Sequence, residues 1–478
     1  KANLNIETEN KIALKLGENL ETFGNINIKN AGTGILADST TSVLQFENGS
    51  KTIVNAKDVA INAQKGTSEF KGGSNVELTS NKYALVAKKA VFEKGSTVKL
   101  NGEYGIGTLS ETDSSDITFK SQSEVNINSS NSGIYNVNVG GSGKISIKAP
   151  NVLKQVRTVN QSLKFENGSI LEGNIEKSWN ANLILDKGSK MFVNNKIEAN
   201  MDIKGDLFVG TRNSYEKEEG KRTIQTLSAI SASSPSDKYY TVHYNKDSNG
   251  NKTKVNLDNA NIHLRINGAQ SENNDKMVFS KDTEIRGNGE ITLHPQNVSK
   301  VKRNMSFTLL EEEGKDVGGN KVYDLEKLPL KIPDVSFGKL VFTTKVKKLN
   351  GRYVVSLVFK GIEADNFLLA KGETKTLDKK KEGSLEDAIL SAKEVTVEEK
   401  STLNIKGDTN GLFANWTEEE ILSLSYILDE VLISLDGSTF EENKQRFENQ
   451  AQFDAVLNNI KTMRKSEDLN ITLSSVLY

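Results

Sequence analysis

The phrase Phe46-Glu47-Asn48-Gly49-Ser50 recurs down the chain in near copies. They are Phe70-Lys71-Gly72-Gly73-Ser74, Phe92-Glu93-Lys94-Gly95-Ser96, Phe119-Lys120-Ser121-Gln122-Ser123 and Phe165-Glu166-Asn167-Gly168-Ser169. A self-similar period of roughly 20–50 residues marks an array in which each unit buries its apolar face only by stacking on its neighbours. A second beat is locked to the first. Ile61 follows Phe46 by 15 residues, Leu85 follows Phe70 by 15, Ile106 follows Phe92 by 14 and Ile134 follows Phe119 by 15. The return to the next phenylalanine varies instead: 9 residues from Ile61 to Phe70, 7 from Leu85 to Phe92, 13 from Ile106 to Phe119. One stretch of each unit is rigid in length and the other elastic, as fixed strands and one variable turn require. The step from Phe119 to Phe165 is 46 residues, two units with one phenylalanine missing.

Within the units, short stretches alternate apolar and polar residues, among them Val76-Glu77-Leu78, Val125-Asn126-Ile127 and Leu183-Ile184-Leu185. Gly, Asn, Ser and Lys separate them, which reads as strands and turns. Three short strands per unit predict an all-β fold, a right-handed parallel β-helix (solenoid), advancing about 4.8 Å per turn. The phenylalanines and β-branched residues fill its lumen, and Asn and Ser stack in turn ladders. The five prolines in 478 residues suit uninterrupted strands, because proline cannot donate to a ladder.

Net charge is −1, so no global attraction to nucleic acid or anionic membrane is implied. Cysteine is absent, which excludes disulfides, thiolate metal sites and cysteine nucleophiles, and fits export through an oxidising compartment. No apolar run approaches the roughly 20 residues of a membrane-spanning helix. No signal peptide is visible, and the chain opens in mid-pattern, so the expectation is a mature or excised piece of something longer.

Three divisions follow. Residues 1–254 are repeats interrupted by an excursion at 211–254, which holds a charged patch (215–222), a Ser-rich loop and the aromatic phrase Tyr239-Tyr240-Thr241-Val242-His243-Tyr244. Extra residues in a repeat array emerge on one face and often carry binding. Residues 255–362 resume the β pattern and end in the strand 354–359. Residues 363–478 change character to a mixed linker and helical segment. A short capped helix is expected at 384–390. A capping box, Thr417 to Glu420, precedes Ile421, Leu424, Ile427, Leu428, Val431 and Leu435 at helical spacing. A second helix from Thr439 carries Phe447, Val456, Leu457 and Ile460, and 468–478 alternates as a terminal strand.

The phrases Ile262-His263-Leu264-Arg265-Ile266, Asn274-Asp275-Lys276-Met277-Val278-Phe279, Gly287-Asn288-Gly289-Glu290-Ile291-Thr292-Leu293, Phe307-Thr308-Leu309-Leu310 and Leu349-Asn350-Gly351-Arg352-Tyr353-Val354-Val355 resemble the C-terminal end of the passenger in single-chain (type Va) autotransporters. The Lys- and Asn-rich, cysteine-free repeats upstream resemble the large fusobacterial outer-membrane adhesins. The resemblance implies that 255–362 caps a β-helix and seeds its folding as an autochaperone region. It also implies that the helices at 417–463 are the linker of a barrel not present in this chain. Residues 363–416 are longer than that family requires between cap and linker.

Few motifs invite chemistry. His243, His263 and His294 are too far apart for metal-ligand spacing. His263 and His294 alternate within strands and read as structural, whereas His243 in the aromatic loop is more open to a ligand. Gly140-Gly141-Ser142-Gly143-Lys144 fails as a phosphate loop, with Asn138 and Ile145 at its critical positions, and reads as a tight turn. Ser142 lacks the setting of a secreted serine protease. The carboxylate pairs Asp113/Asp116 and Glu218/Glu219 and the tripeptides at 204–206 and 406–408 read as solvated or turn residues. The expected function is therefore a cell-surface adhesin on the outer membrane of a Gram-negative bacterium. It would bind a host protein or glycan, or other bacteria, with no nucleic acid, cofactor, metal or catalytic residues. Tyr215, Tyr239, Tyr240, His243 and Tyr244 are the candidate partner-binding residues. The alternatives are a secreted β-helix enzyme that degrades polysaccharide and a pure spacer stalk.

Overall fold

The computed structural model describes residues 2–478 apart from 111–113, 216–237, 269, 271, 281–282, 297–305, 314–327, 338–339, 350–351, 363–366, 370–373, 379–394, 398–401, 407–416, 423–429, 436, 445, 467–468 and 475–478. The chain is mostly β with few helices. One sheet of 29 strands runs from Asn3 to Ile362. Its pairings are parallel from the first strand to the strand Ser306–Glu313 among the described residues. Lys51 lies opposite Asn75, Asn75 opposite Thr97, and Thr97 opposite Glu124. The pairing step is thus the sequence repeat itself.

The repeated phrase resolves into two structural parts. Phe46, Phe70, Phe92 and Phe119 are buried and stacked, with ring centroids 5.1, 4.7 and 4.9 Å apart. The four residues after each ring form a turn closed by the serine amide: Ser50 donates to Glu47 O at 3.0 Å, Ser74 to Lys71 O at 3.1 Å and Ser123 to Lys120 O at 2.9 Å. The third turn residue needs positive φ, which Gly49, Gly73 and Gly95 take at 72°, 78° and 78°. Gln122 takes the same place at 65° without being glycine. The turns also bond to each other, Gly49 N to Gly73 O at 3.0 Å and Gly73 N to Gly95 O at 2.9 Å. The second beat forms its own interior row: Ile61, Leu85, Ile106, Ile134, Leu153, Ile175 and Ile197 lie opposite one another in succession. Each buried Phe, Ile or Leu contributes about 1.5–3 kcal/mol of apolar burial, and the rows share one core.

The missing phenylalanine has a local cause. Gly140–Lys144 lies inside the strand Asn138–Lys154, not in a turn as its composition predicts. Gly141 lies opposite Phe119, and towards the next strand the register shifts between Val139 and Gly141, so that Gly143, not Gly141, lies opposite Phe165. Gly141 has φ +95°, and a Cβ there would collide with the Phe119 carbonyl oxygen. Backbone proximity takes the place of a ring.

At its far end the sheet changes sense. Strand Ser306–Glu313 pairs antiparallel with Arg352–Ile362, which pairs antiparallel with Leu340–Leu349. The expected last strand, 354–359, lies within Arg352–Ile362. Beyond it, the expected linker contains two more parallel pairs: Phe367–Leu369 with Val395–Val397, and Thr374–Asp378 with Thr402–Lys406. The helix expected across 421–435 is only Glu418–Leu422 among the described residues. Val431 belongs instead to the strand Glu430–Ser434, which pairs parallel with Asn470–Ser474. β-Branched Val431 and Ile433 suit that strand, and they join Phe447, Phe453, Val456 and Ile460 in a separate small core. The second expected helix divides into a 3-10 turn, Glu441–Asn443, and the helix Gln450–Met463. Thr439 caps the first: its amide donates to Glu442 Oε2 at 2.9 Å, and its hydroxyl accepts the Glu442 amide at 3.4 Å. Asn449 caps the second, accepting the Gln452 amide at 3.0 Å. The helix expected at 384–390 lies outside the described residues.

Candidate functional site

The interruption after Gly210 is built around one buried ion pair. Arg265 and Asp275 have side chains 2% and 0% exposed, and the carboxylate accepts Arg265 Nε at 2.7 Å and Nη2 at 3.0 Å. Asp275 also accepts the amides of Arg265 at 3.1 Å and Tyr240 at 2.7 Å. Arg265 Nη2 donates in addition to Lys238 O at 2.7 Å. The guanidinium carbon lies 5.6, 5.2 and 5.6 Å from the ring centres of Tyr215, Tyr239 and Tyr240, within cation–π range. The Tyr215 hydroxyl stands 2.8 Å from Val209 O, 3.0 Å from His263 O and 3.3 Å from Asp275 Oδ2. Residues 216–237 are therefore flanked on both sides by residues tied to the same pair. Burial pushes the Asp275 carboxyl up, opposed by Arg265 and the backbone donors, while the Arg265 guanidinium is held protonated beside it. Buried opposite charges with several donors of this kind are costly to break.

Beneath Tyr215 runs an aromatic column. Phe192 stacks on Phe208 at 4.5 Å, and Phe208 on His263 at 4.0 Å. Tyr215 meets Phe208 and His294 edge-on at 4.9 and 5.1 Å. His263 bridges Asp206 at 3.1 Å and His294 at 2.9 Å. The hydrogen bond from His263 lowers the Asp206 carboxyl below its ordinary range against the effect of burial. Gly210, at φ +135°, lets the chain leave here: a Cβ would lie 3.3 Å from Tyr240 and 3.4 Å from Tyr215.

The five sequence candidates separate. Tyr244 is fully buried, lies opposite Ile197 and Phe279, and donates its hydroxyl to Ala199 O at 2.8 Å. It continues the Ile61 row inside the core, so it is not a surface contact. Tyr215 is likewise buried beneath the clamp. Both corrections have one cause: Thr241–Tyr244 is a ladder strand, and the helical turn before 216 packs down on the sheet. Tyr239 and Tyr240 are half-buried over Arg265. His243 faces outward, its Nδ1 3.1 Å from Glu313 Oε1. Sequence reasoning missed Arg265 and Asp275 as a pair. Their only signal was an arginine between the apolar Leu264 and Ile266 and an aspartate just ahead of the strand Lys276–Ser280.

A second feature is a shallow groove over the strands Asn182–Leu185, Asn200–Ile203, Thr253–Asn256 and Thr283–Arg286. Its floor is polar. Asn200 Nδ2 donates to Asn182 Oδ1 at 2.9 Å, Asn256 Nδ2 to Asp202 Oδ1 at 2.9 Å, and Lys254 Nζ lies 3.4 Å from Glu284 Oε2. The loop 245–252, which leads into the strand Thr253–Asn256, is tied to the chain ahead of Asn182: Ser248 N donates to Ser178 O at 3.0 Å and Asn180 N to Asp247 Oδ2 at 3.2 Å. Burial works to raise the Asp247 carboxyl, but donors from Asn251, Asn180 and Asn249 hold it below its ordinary value.

Of the other motifs, Asp116 accepts Asn138 Nδ2 at 2.7 Å, and Asp113, Glu218, Glu219 and 407–408 lie outside the described residues. Among the described residues no group of three or more His, Cys, Asp or Glu is placed to hold a metal ion, and no helix is long and apolar enough to cross a membrane. The chain matches no known protein-family model, and comparison with curated proteins gives no match.

Proposed function

We propose that the parallel ladders wind as a right-handed β-helix, and that the chain is part of a cell-surface adhesin of the autotransporter passenger type. It would bind a host-cell protein or glycan, or another bacterium, non-covalently from the outer face of a Gram-negative envelope. One observation carries this reading. The ladder is interrupted at length after Gly210, and the residues on both sides of 216–237 are pinned to a single buried ion pair. A long insertion held at both ends on a stiff scaffold is how repeat proteins present a recognition segment. The stacked rows of identical side chains supply the stiffness.

The test is to replace residues 216–237 by a short Gly-Ser linker, leaving Thr241–Tyr244 in its ladder. Folding and thermal stability should persist while adhesion to host cells falls. Unchanged adhesion to every cell type and partner strain tested would remove the segment from the binding site. A chain with no adhesion before the replacement would favour the spacer reading. The polysaccharide-degrading alternative draws support from the groove, where Asp202 and Glu284 occupy one polar surface. Release of reducing ends from a glycan library would establish it in place of the adhesin.

A further inference from the structure

We infer that the groove over residues 182–286 is a binding site for an uncharged linear glycan, lying along the stack of strands and contacting about one sugar unit per strand. The inference deepens the adhesin reading and rests on it for the biological role, though the groove's ligand can be tested alone.

The floor comes from strict alternation. Leu183, Met201, Val255 and Ile285 point into the core, so their neighbours point out. Pairing then aligns two polar columns. Asn182, Asn200, Lys254 and Glu284 form one, and Asp202, Asn256 and Arg286 the other, which begins at the apolar Ile184. Each strand thus offers two outward groups side by side, repeated at the strand spacing of about 4.8 Å. That repeat is close to the length of a pyranose unit in an extended chain.

The chemistry of the columns selects the ligand. Amides and carboxylates alternate with cationic groups, so hydrogen-bond donors and acceptors sit next to each other. Adjacent sugar hydroxyls, each both donor and acceptor, match such a surface. The two carboxylates, Asp202 and Glu284, balance Lys254 and Arg286. No net field is left to draw a sulfated glycan or a nucleic acid. A peptide adding as a strand is also disfavoured over the strands from Asn182 to Asn256, because they present a face here and are paired on both sides. Asp247 organises the loop 245–252 by accepting the amides of Asn249 at 3.0 Å and Asn251 at 2.8 Å, and the loop packs against Ser178 and Asn180. The columns are also pre-ordered by their own bonds, which lowers the entropy lost when a ligand docks.

The experiment uses the full chain on an array of neutral hexose and N-acetylhexosamine oligosaccharides, sulfated glycosaminoglycans and host-cell surface proteins. Variants Asn256→Ala, Glu284→Gln and Arg286→Ala are compared with the surface control Lys99→Ala, and the same proteins are scored for cell adhesion. We expect binding to a neutral oligosaccharide that persists in high salt. Glu284→Gln and Arg286→Ala should each weaken it about tenfold, the loss of one hydrogen bond to a charged group, and Asn256→Ala by a smaller factor, the loss of a neutral one, with Lys99→Ala unchanged. Adhesion without neutral-glycan binding would overturn the groove assignment and leave the adhesin reading standing. Binding only to sulfated glycans, abolished by salt, would overturn the ligand class, and so would binding only to a protein. Neutral-glycan binding unaffected by all three variants would move the site elsewhere. Groove-dependent glycan binding without adhesion would keep this inference and overturn the adhesin reading.

Discussion

The stretch from Phe46 to Phe119 and the stretch from Gly210 to Asp275 use the same parallel ladder to opposite ends. In the first, identical residues fall on identical residues: ring on ring, serine turn on serine turn. In the second, a guanidinium, a carboxylate and three tyrosines unlike their neighbours in the ladder meet at one point. Repetition makes a scaffold whose units are interchangeable. The single clamp makes one position unlike all others. A surface carried at that position has a fixed address on the scaffold, which the repeats alone cannot supply.

Breaking the clamp should give the largest effect. Asp275→Ala leaves Arg265 buried without its partner and should cost about 3–5 kcal/mol. New protease sites should appear near 215 and 238 while the repeats stay resistant. The double change Arg265→Met with Asp275→Asn should recover most of that loss, since it removes both charges while the amide oxygen of the new side chain still accepts a backbone N–H. If the double variant is as unstable as the single one, the pair is not the unit that holds the flanks. Phe70→Ala, removed from between Phe46 and Phe92, should cost about 3–5 kcal/mol, whereas Phe70→Leu should cost less than about 1.5 kcal/mol. Denaturant unfolding followed by hydrogen exchange separates the two regions, because damage in a repeat array stays near its origin.

Smaller effects sharpen the contrast inside the repeats. Gly73→Ala forces a Cβ into positive φ beside Asn48 and should cost about 1–2 kcal/mol. Gln122→Gly, at the equivalent place in its own turn, should gain up to about 1 kcal/mol. Equal effects at both positions would mean that φ is not what the repeat selects. The least disruptive test is alkaline titration of the tyrosines by absorbance. Burial, with Tyr104, Tyr135 and Glu103 nearby, pushes Tyr83 up to about 12, and burial alone pushes Tyr244 well above its ordinary value. Phenols raised in the folded state stabilise it fully below their unfolded value of about 10 and lose that contribution as pH rises through the folded value. Stability should therefore fall above about pH 10. Tyr83 should ionise before the chain unfolds and Tyr244 only with unfolding.

The sequence was most legible where the structure repeats. The locked distance between Phe46 and Ile61 reported two interior rows, and the serine phrase reported their turn. It was least legible where tertiary neighbours decide an environment. Tyr244 stood in a loop-like context rich in aromatics, yet it continues the Ile197 row. Val431 and Leu435 matched helical spacing, yet a strand 40 residues on, Asn470–Ser474, supplies the pairing that makes 430–434 a strand. Arg265 is the sharpest case. It lies on the parity of its strand that should face solvent, between the inward Leu264 and Ile266, and alternation alone marks it as exposed.

By itself, then, the sequence determined the period, the mostly β character and the inward rows, because these are properties of how a residue relates to its own copies along the chain. The tertiary structure alone decided that outward Arg265 is buried, that Tyr215 and Tyr239–Tyr240 close over it, and that Asn182, Asp202, Asn256 and Arg286 share a floor. Those outcomes depend on which distant segment covers a face, and a burial set by a neighbour from elsewhere in the chain leaves no periodic trace.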